Sequence, residues 1–390
     1  MSKLIPKKTP WEELSEIFQE MELELIVSMK RNLHRHEKEE RLIGYRYEQW
    51  QSAKLRDLDR FRRENEQIIA QFKPGIVQKI EQTIKNSYRQ GMQRVMGFLE
   101  RLGDQVGLIL PGRAETTPGA YRNGNRPLDI NFFRMQDERL KSLITETVEP
   151  VEDATRAITR YIDDQYRQII KKAQIALTSG TYTMDKALDT AISDFLNRGI
   201  TNITYKDGRI RSIDSYAEMA LRTAAHRAFL AGQGETRKEL GIATVIVSSH
   251  DSICGLCAPW QNAVLIDDVW SGGTADGIYP LVSQAIKAGL LHPNCQHNLD
   301  TFIPGITKVP EPKEQRAKIV RGKLQQKQRA IERDMRKLKM ALAGLSDPQA
   351  IQNARRKLDR AETRMKALME LDPAMRRQPE RERIRLKGKR

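Results

Sequence analysis

Aromatic side chains make up only 6% of the 390 residues, and no apolar run approaches the length of a membrane span. Runs such as Val245-Ile246-Val247 stop after a few residues. So few aromatics give no stacking platform for the bases of single-stranded nucleic acid. Hydrophobic residues account for 39% and charged residues for 30%. That mixture suits long amphipathic helices with solvated faces better than one deep core. The opening Met1-Ser2-Lys3 leads through Lys7 and Lys8 into a helix start, without the apolar stretch of a secretory signal. The expectation is a soluble protein made in the cytoplasm, with no membrane partner. No Gly-x-x-x-x-Gly-Lys-Ser/Thr loop occurs, so the phosphate cradle of a P-loop ATPase is excluded. Cysteine is scarce as well. Cys254, Cys257 and Cys295 all fall within one stretch of 42 residues. An odd number without a secretory leader does not form a disulfide framework, which leaves metal binding or local packing.

What the chain has in excess is positive charge, and it is unevenly placed. Lys and Arg number 67 against 51 Asp and Glu, a net of +16. Residues 311–390 hold 25 Lys/Arg and 11 Asp/Glu, a net of +14, which leaves 42 against 40, or +2, for the other 310. A basic tail on a nearly neutral body points to a polyanion, nucleic acid first. The plainer alternative is a helical hairpin kept soluble by its charge. No major-groove reading motif is present, so contact with double-stranded DNA would be non-specific and through phosphates.

The patterning predicts an α+β protein that is predominantly α-helical. Thr9-Pro10-Trp11-Glu12 carries a helix cap, a proline for the first helical position and a glutamate for a capping box. Leu14, Phe18, Met21, Leu25, Met29 and Leu33 then recur at steps of three or four, a helical stripe. Helical patterning continues through 45–72 and 76–102. Residues 107–127 collect Gly, Pro, Asn and Thr and read as a linker, and a long charged helix follows over about 135–177. These make a helical N-terminal region, 1–182.

A central α+β module is expected over 183–306. Its parts are a short helix capped by Thr183, a hairpin around Asp207-Gly208, a helix over about 214–240 and strands at 243–249 and 262–266. A short helix is expected at 280–288. Residues 307–390 read as a basic helical hairpin and tail. Leu324, Ile331, Met335, Leu338, Leu342 and Leu345 form a near-heptad, coiled-coil-like seam. Asp347-Pro348 restarts the chain into a helix lined by Ile351, Leu358, Met365 and Leu368. The run from Arg376 to Arg390 is expected to lack fixed structure alone.

The most specific motif is Cys254-Gly-Leu-Cys257 followed by His292-Pro-Asn-Cys295-Gln-His297. A two-residue gap lets both sulfurs reach one tetrahedral ion from a tight turn. Cys254, Cys257, Cys295 and His297 would then hold a structural zinc, with His292 as an alternative fourth ligand. The competing reading is a cluster of small buried thiols beside hydrogen-bonded histidines. A closed four-ligand site leaves no position for substrate, so a non-enzymatic role is expected, with no catalytic residues and no small-molecule substrate. A cysteine hydrolase lacks a nucleophile signature. A zinc deaminase fails on motif order, since no His-x-Glu precedes Cys-x-x-Cys. A metal-dependent nuclease using His250, His292, Asn294 and His297 is the principal catalytic rival.

Over 185–306 the chain resembles the phage minor capsid protein family, which is related to phage head-morphogenesis proteins. The resemblance rests on Tyr205-Lys-Asp-Gly-Arg209, Ala220-Leu-Arg-Thr223, Val245-Ile-Val-Ser-Ser-His250, Cys257-Ala-Pro-Trp-Gln261 and Gly289-Leu-Leu-His-Pro-Asn-Cys-Gln-His297. Gln296 stands where the family places arginine, and Asn262 where it places glycine. The flanking helices add no resemblance of their own. The resemblance implies a low-copy virion protein inside the phage head, added in the host cytoplasm during assembly. Portal and capsid proteins would be its partners, and head morphogenesis or DNA packaging and delivery its role. A cytoplasmic nucleic-acid-binding adaptor outside the virion is the alternative. If the basic tail binds DNA, retention should weaken steeply as salt rises and vanish on truncation at Pro312. Salt-insensitive binding, or unchanged binding by the shortened chain, would contradict this.

Overall fold

The structure is a computed structural model. It describes residues 8–33, 47–106, 130–178, 186–187, 189–190, 192–193, 202–204, 210–251, 253–293, 295–310 and 315–384. The linker at 107–127, the Asp207-Gly208 turn and most of the helix expected after Thr183 lie outside these. The helices are α1 (Pro10–Leu33), α2 (Tyr47–Arg56), α3 (Leu58–Val106), α4 (Ile130–Thr178), α5 (Ile213–Glu239), α6 (Val282–Lys287), α7 (Gln315–Gly344) and α8 (Pro348–Glu370). The strands are β1 (Asn202–Thr204), β2 (Ile210–Ser212), β3 (Thr244–Val247), β4 (Val264–Ile266) and β5 (Leu299–Thr301). The mostly helical α+β expectation is met. The chain divides into two compact units. One comprises Met1–Gln78, Glu149–Glu218 and Leu324–Arg390, the other Lys79–Val148 and Met219–Lys323. Neither is continuous in sequence.

In the first unit, α1 begins where its capping residues place it. The Thr9 backbone N–H and hydroxyl both donate to the Glu12 carboxylate, at 3.0 and 2.8 Å. All six residues of the apolar stripe, Leu14 to Leu33, are buried. Each such side chain contributes roughly 1.5–3 kcal/mol relative to leaving it in water. The face also accepts polar groups where partners exist: Gln19 donates to Asp214 at 3.1 Å. Phe61 of α3 stacks on Tyr166 of α4 with ring centroids 4.2 Å apart. Patterning breaks at Pro74, yet α3 runs through it without interruption. Burial of Phe72, Ile76, Ile80 and Ile84 along its face offsets the missing backbone hydrogen bond.

The basic hairpin belongs to this unit from Leu324 onward. Met335, Ala361 and Met365 form its core, with Ile331, Leu338 and Leu358 packed against them. Asp347 caps α8 by accepting from the Ala350 N–H at 2.8 Å, with Pro348 opening the helix. The buried Asp189 carboxylate takes the backbone N–H groups of Ser346 and Asp347 and so pins the turn. Of the run expected to lack fixed structure, Arg376–Ile384 makes defined contacts, and 385–390 lie outside the described residues. Arg377 pairs with the buried Glu382 at 2.6 and 2.7 Å, Lys339 donates to the Glu382 carbonyl at 2.7 Å, and Arg381 reaches the Glu12 carboxylate. Glu382, five residues on, and Glu12, distant in sequence, neutralise these arginines locally, which composition does not reveal.

The second unit is built on the antiparallel sheet β4-β3-β5. Val245 pairs with Leu265 on one side and Thr301 on the other. Strand β5, only Leu-Asp-Thr, has no counterpart among the strands expected from the pattern. Val245, Val247, Leu265 and Leu299 share a core with Leu230 of α5 and with Val282 and Ala285 of α6. Helices α3 and α5 come into backbone contact at glycines. A Cβ on Gly91 would lie 2.1 Å from the Phe229 carbonyl oxygen, and one on Gly232 would lie 2.2 Å from that of Tyr88. Only hydrogen fits there.

Arg237, near the end of α5, is fully buried. Its guanidinium donates to Asp267 at 2.8 Å, to Ser271 at 3.0 Å and to the Leu299 carbonyl at 3.0 Å. Asp267 in turn accepts from Ser271 at 2.6 Å and from the Val269 and Trp270 N–H groups at 3.2 and 2.9 Å. Burial pulls the guanidinium pKa down, and the Asp267 charge opposes that pull. Removing one partner from such a pair leaves an uncompensated buried charge. Arg237→Met should therefore cost about 3–5 kcal/mol in urea unfolding, and the double variant Arg237→Met/Asp267→Leu should recover much of it. A single variant as stable as the parent would refute the role of this pair.

Candidate metal centre

The Cys254–Cys257 turn follows β3 and leads into a single 3₁₀ turn, Ala258–Trp260, with Pro259 in its first positions. The Ala258 N–H bonds back to the Cys254 carbonyl at 3.1 Å, and the Trp260 N–H to that of Cys257 at 3.1 Å. The chain then turns back into β4 through Asn262, whose φ is +60°. Asparagine tolerates the left-handed region better than other non-glycine residues. The second half of the cluster follows α6. Gly289 (φ +105°) and Leu291 (φ +58°) reverse the chain, and the Cys295 N–H bonds to the His292 carbonyl at 2.8 Å. β5 begins two residues after His297. Both halves are thus anchored on the same small sheet.

The 37-residue gap between Cys257 and Cys295 closes in space. Cys257 Sγ lies 3.6 Å from Cys295 Sγ, Cys254 Sγ lies 3.0 Å from His292 Nε2, and Cys295 Sγ lies 3.4 Å from His297 Nδ1. Two trios share Cys257: one with Cys254 and His292, the other with Cys295 and His297. Within each, the ligand atoms all lie within 4.8 Å of one another. All three cysteines are free thiols. The five residues named from the sequence therefore do converge, and both histidines are at hand. Cys257, Cys295 and His297 are buried, while Cys254 and His292 form the partly exposed wall.

The electrostatics follow from these contacts. The Cys257 contact, and then His297, draw the Cys295 thiol well down, against the desolvation that opposes it. Cys257 is pushed up by the Cys295 contact and by its own burial. Burial works against the charged form of Cys254, but the Cys257 backbone N–H and His292 outweigh it and lower that thiol. Burial likewise opposes protonation of His292, yet the Pro293 carbonyl and Cys254 raise it. Without a cation the cluster is a coupled set: Cys254 and Cys295 are drawn toward the thiolate, Cys257 is held toward the thiol, and His292 is drawn toward its protonated form.

Around the cluster lies a polar shell that the motif does not reveal. The Asn298 N–H donates to Ser248 Oγ at 2.8 Å, and that oxygen lies 3.1 Å from His250 Nε2. His250 stands edge-on to His297, with centroids 4.8 Å apart, and burial followed by the His297 charge lowers its pKa. Lys318, from the first turns of α7, donates to Ser249 at 3.0 Å, and its carbonyl accepts from the Ile253 N–H at 3.3 Å. Of the four residues of the nuclease alternative, His250 and His297 meet, His292 turns to Cys254, and Asn294 lies outside the described residues. Trp260 and Trp270 pack against the sheet core. Thr223 bonds within its own helix, to the Met219 carbonyl at 2.8 Å.

Comparison with protein families matches residues 8–370 to phage minor capsid protein 2. The chain belongs to that family. The match covers the flanking helical regions as well, so they share the family pattern that the sequence reading confined to 185–306. The minor capsid protein is also 29% identical over 180 residues to a structural protein of Lactococcus phage LL-H. The alignment covers 45% of this chain and 48% of that protein, so the chain spans about half the length of the curated relative it matches. No solved structure matches it. Among the described residues of this minor capsid protein, no helix is long and apolar enough to cross a membrane.

Proposed function

We propose that this minor capsid protein is a non-catalytic component of the phage head, assembled beside the portal, which touches packaged DNA non-specifically through its C-terminal hairpin. The observation that carries the DNA contact is the placement of the charge. Residues 311–390 hold 25 Lys/Arg against 11 Asp/Glu. On α8, Arg355, Arg356, Lys357, Arg360, Arg364 and Lys366 are all exposed, and on α7 so are Lys323, Lys327 and Lys337. Lys337, Lys357, Arg360 and Arg364 line a shallow groove of the hairpin, with Asp334 and Asp359 interspersed. Helices hold these cations on a fixed surface, and phosphates approaching them release condensed counterions without any base being read. Family membership supports the virion role, and a location near the portal rests on that membership alone.

Truncation at Pro312 is a poor probe of this proposal. It would also remove Arg381 from Glu12, Arg336 from Asp214 and the turn from Asp189, all pairings within one folded unit. Charge removal in place is cleaner. Replacing Arg355, Arg356, Lys357 and Arg360 with glutamine should leave thermal unfolding within a few degrees of the parent. Binding to a random duplex should weaken, and the log–log salt slope should flatten by about 0.9 for each phosphate that is no longer neutralised. A variant with unchanged affinity and slope would overturn the assignment.

A further inference from the structure

We propose that Cys254, Cys257, Cys295 and His292 bind one zinc ion as a closed tetrahedral site, with His297 as the group that orients and stabilises the Cys295 thiolate. Pattern alone favours His297 as the ligand. The second nitrogen of each ring favours His292. Zn–S and Zn–N bonds of about 2.3 and 2.0 Å imply S···S and S···N separations of about 3.8 and 3.5 Å around a tetrahedron. Cys257 and Cys295 already stand at 3.6 Å. His292 Nε2 stands 3.0 Å from Cys254 Sγ and would open by about 0.5 Å, while His297 Nδ1 stands 3.4 Å from Cys295 Sγ, so both imidazoles are within reach and these distances do not choose between them.

The two imidazoles differ in what their other nitrogen does. His292 Nδ1 lies 2.8 Å from the Pro293 carbonyl. A proton on Nδ1 satisfies that oxygen and leaves the Nε2 lone pair facing the sulfurs, the tautomer and backing that metal-bound histidines carry. His297 is different. Its Nδ1 and its backbone N–H both approach Cys295 Sγ, at 3.4 and 3.5 Å, so one thiolate can receive two N–H groups from one residue. Its Nε2 is buried without a hydrogen-bond partner among the described residues. Were Nδ1 to ligate the metal, Nε2 would carry the proton, and a buried N–H would be left unmatched. With Nδ1–H donating to sulfur, only an acceptor lone pair is unmatched, the less costly deficit. Donation to a ligating sulfur is a role for a residue outside the coordination shell.

Binding would release the thiol protons to solvent and join the Cys254–Cys257 turn to the chain entering β5, so metal affinity would count directly as folding stability. With all four positions filled by protein, no site would remain for a reacting water. Such a zinc site serves the folding of the second unit and has no part in the proposed DNA contact.

The test is metal analysis of the full chain, followed by removal of metal and titration with cobalt(II). One zinc per chain is expected, and then the visible bands of a tetrahedral cobalt–thiolate site. His297→Ala should still give those bands, with affinity weakened by roughly 10–100-fold. His292→Ala should lose the four-ligand spectrum. A metal-free wild-type protein that gives no tetrahedral cobalt bands would overturn the site, and so would a Cys257–Cys295 disulfide in its place. His292→Ala with intact bands, alongside His297→Ala without them, would overturn the ligand assignment.

Discussion

A buried guanidinium holds the second unit together. Arg237 joins the end of α5 to Asp267 after β4 and to the Leu299 carbonyl at the start of β5. The sheet is only three short strands, too small to fix its own edges by ladder hydrogen bonds alone. The Cys/His cluster sits on the loops leaving β3 and entering β5, so its geometry is inherited from the position of those strands. A charge this deep is stabilised only because its donors find acceptors. Its contribution is to specify one arrangement of helix and strands, and a metal bound at the loops would lock what the guanidinium has placed.

The first unit solves a different problem. Its hairpin carries most of the excess positive charge, and like charges crowded on two helices repel one another. Acidic groups relieve this selectively: Glu12 and Asp214 come from elsewhere in the chain to meet Arg381 and Arg336, and Glu382 of the same segment meets Arg377. The cations so paired have most of their side chains covered. On α8, Arg364 is paired with Asp334 at 3.2 Å, and under the proposed function the exposed Arg355, Arg356, Lys357 and Arg360 present the field to a partner. Such a surface is suited to a uniform polyanion rather than to one sequence or one small ligand.

Much of this is legible in the sequence because it depends on local rules. The Thr9–Glu12 box, the Asp347-Pro348 start and the stripe from Leu14 to Leu33 each follow from spacing within one element, as does the Cys-x-x-Cys turn. What stays hidden depends on distant partners. Nothing distinguishes Arg237 from an exposed helix arginine until Asp267 and Leu299 are brought to it. Strand β5 is three residues long, and only the pairing of Thr301 with Val245 makes it a strand. Pro74 reads as a boundary because propensity penalises it, and packing of the flanking apolar face prevails. The choice between His292 and His297 lies beyond spacing, since it turns on the Pro293 carbonyl and a buried Nε2.

Under the proposed function, this minor capsid protein presents a rigid cationic helix face to the genome in the finished head. A photo-reactive residue placed at the exposed Arg356 and activated inside assembled particles tests that most directly. Covalent adducts to DNA in filled heads, absent from DNA-free procapsids, are the predicted result. Adducts only to protein in both kinds of particle would contradict it.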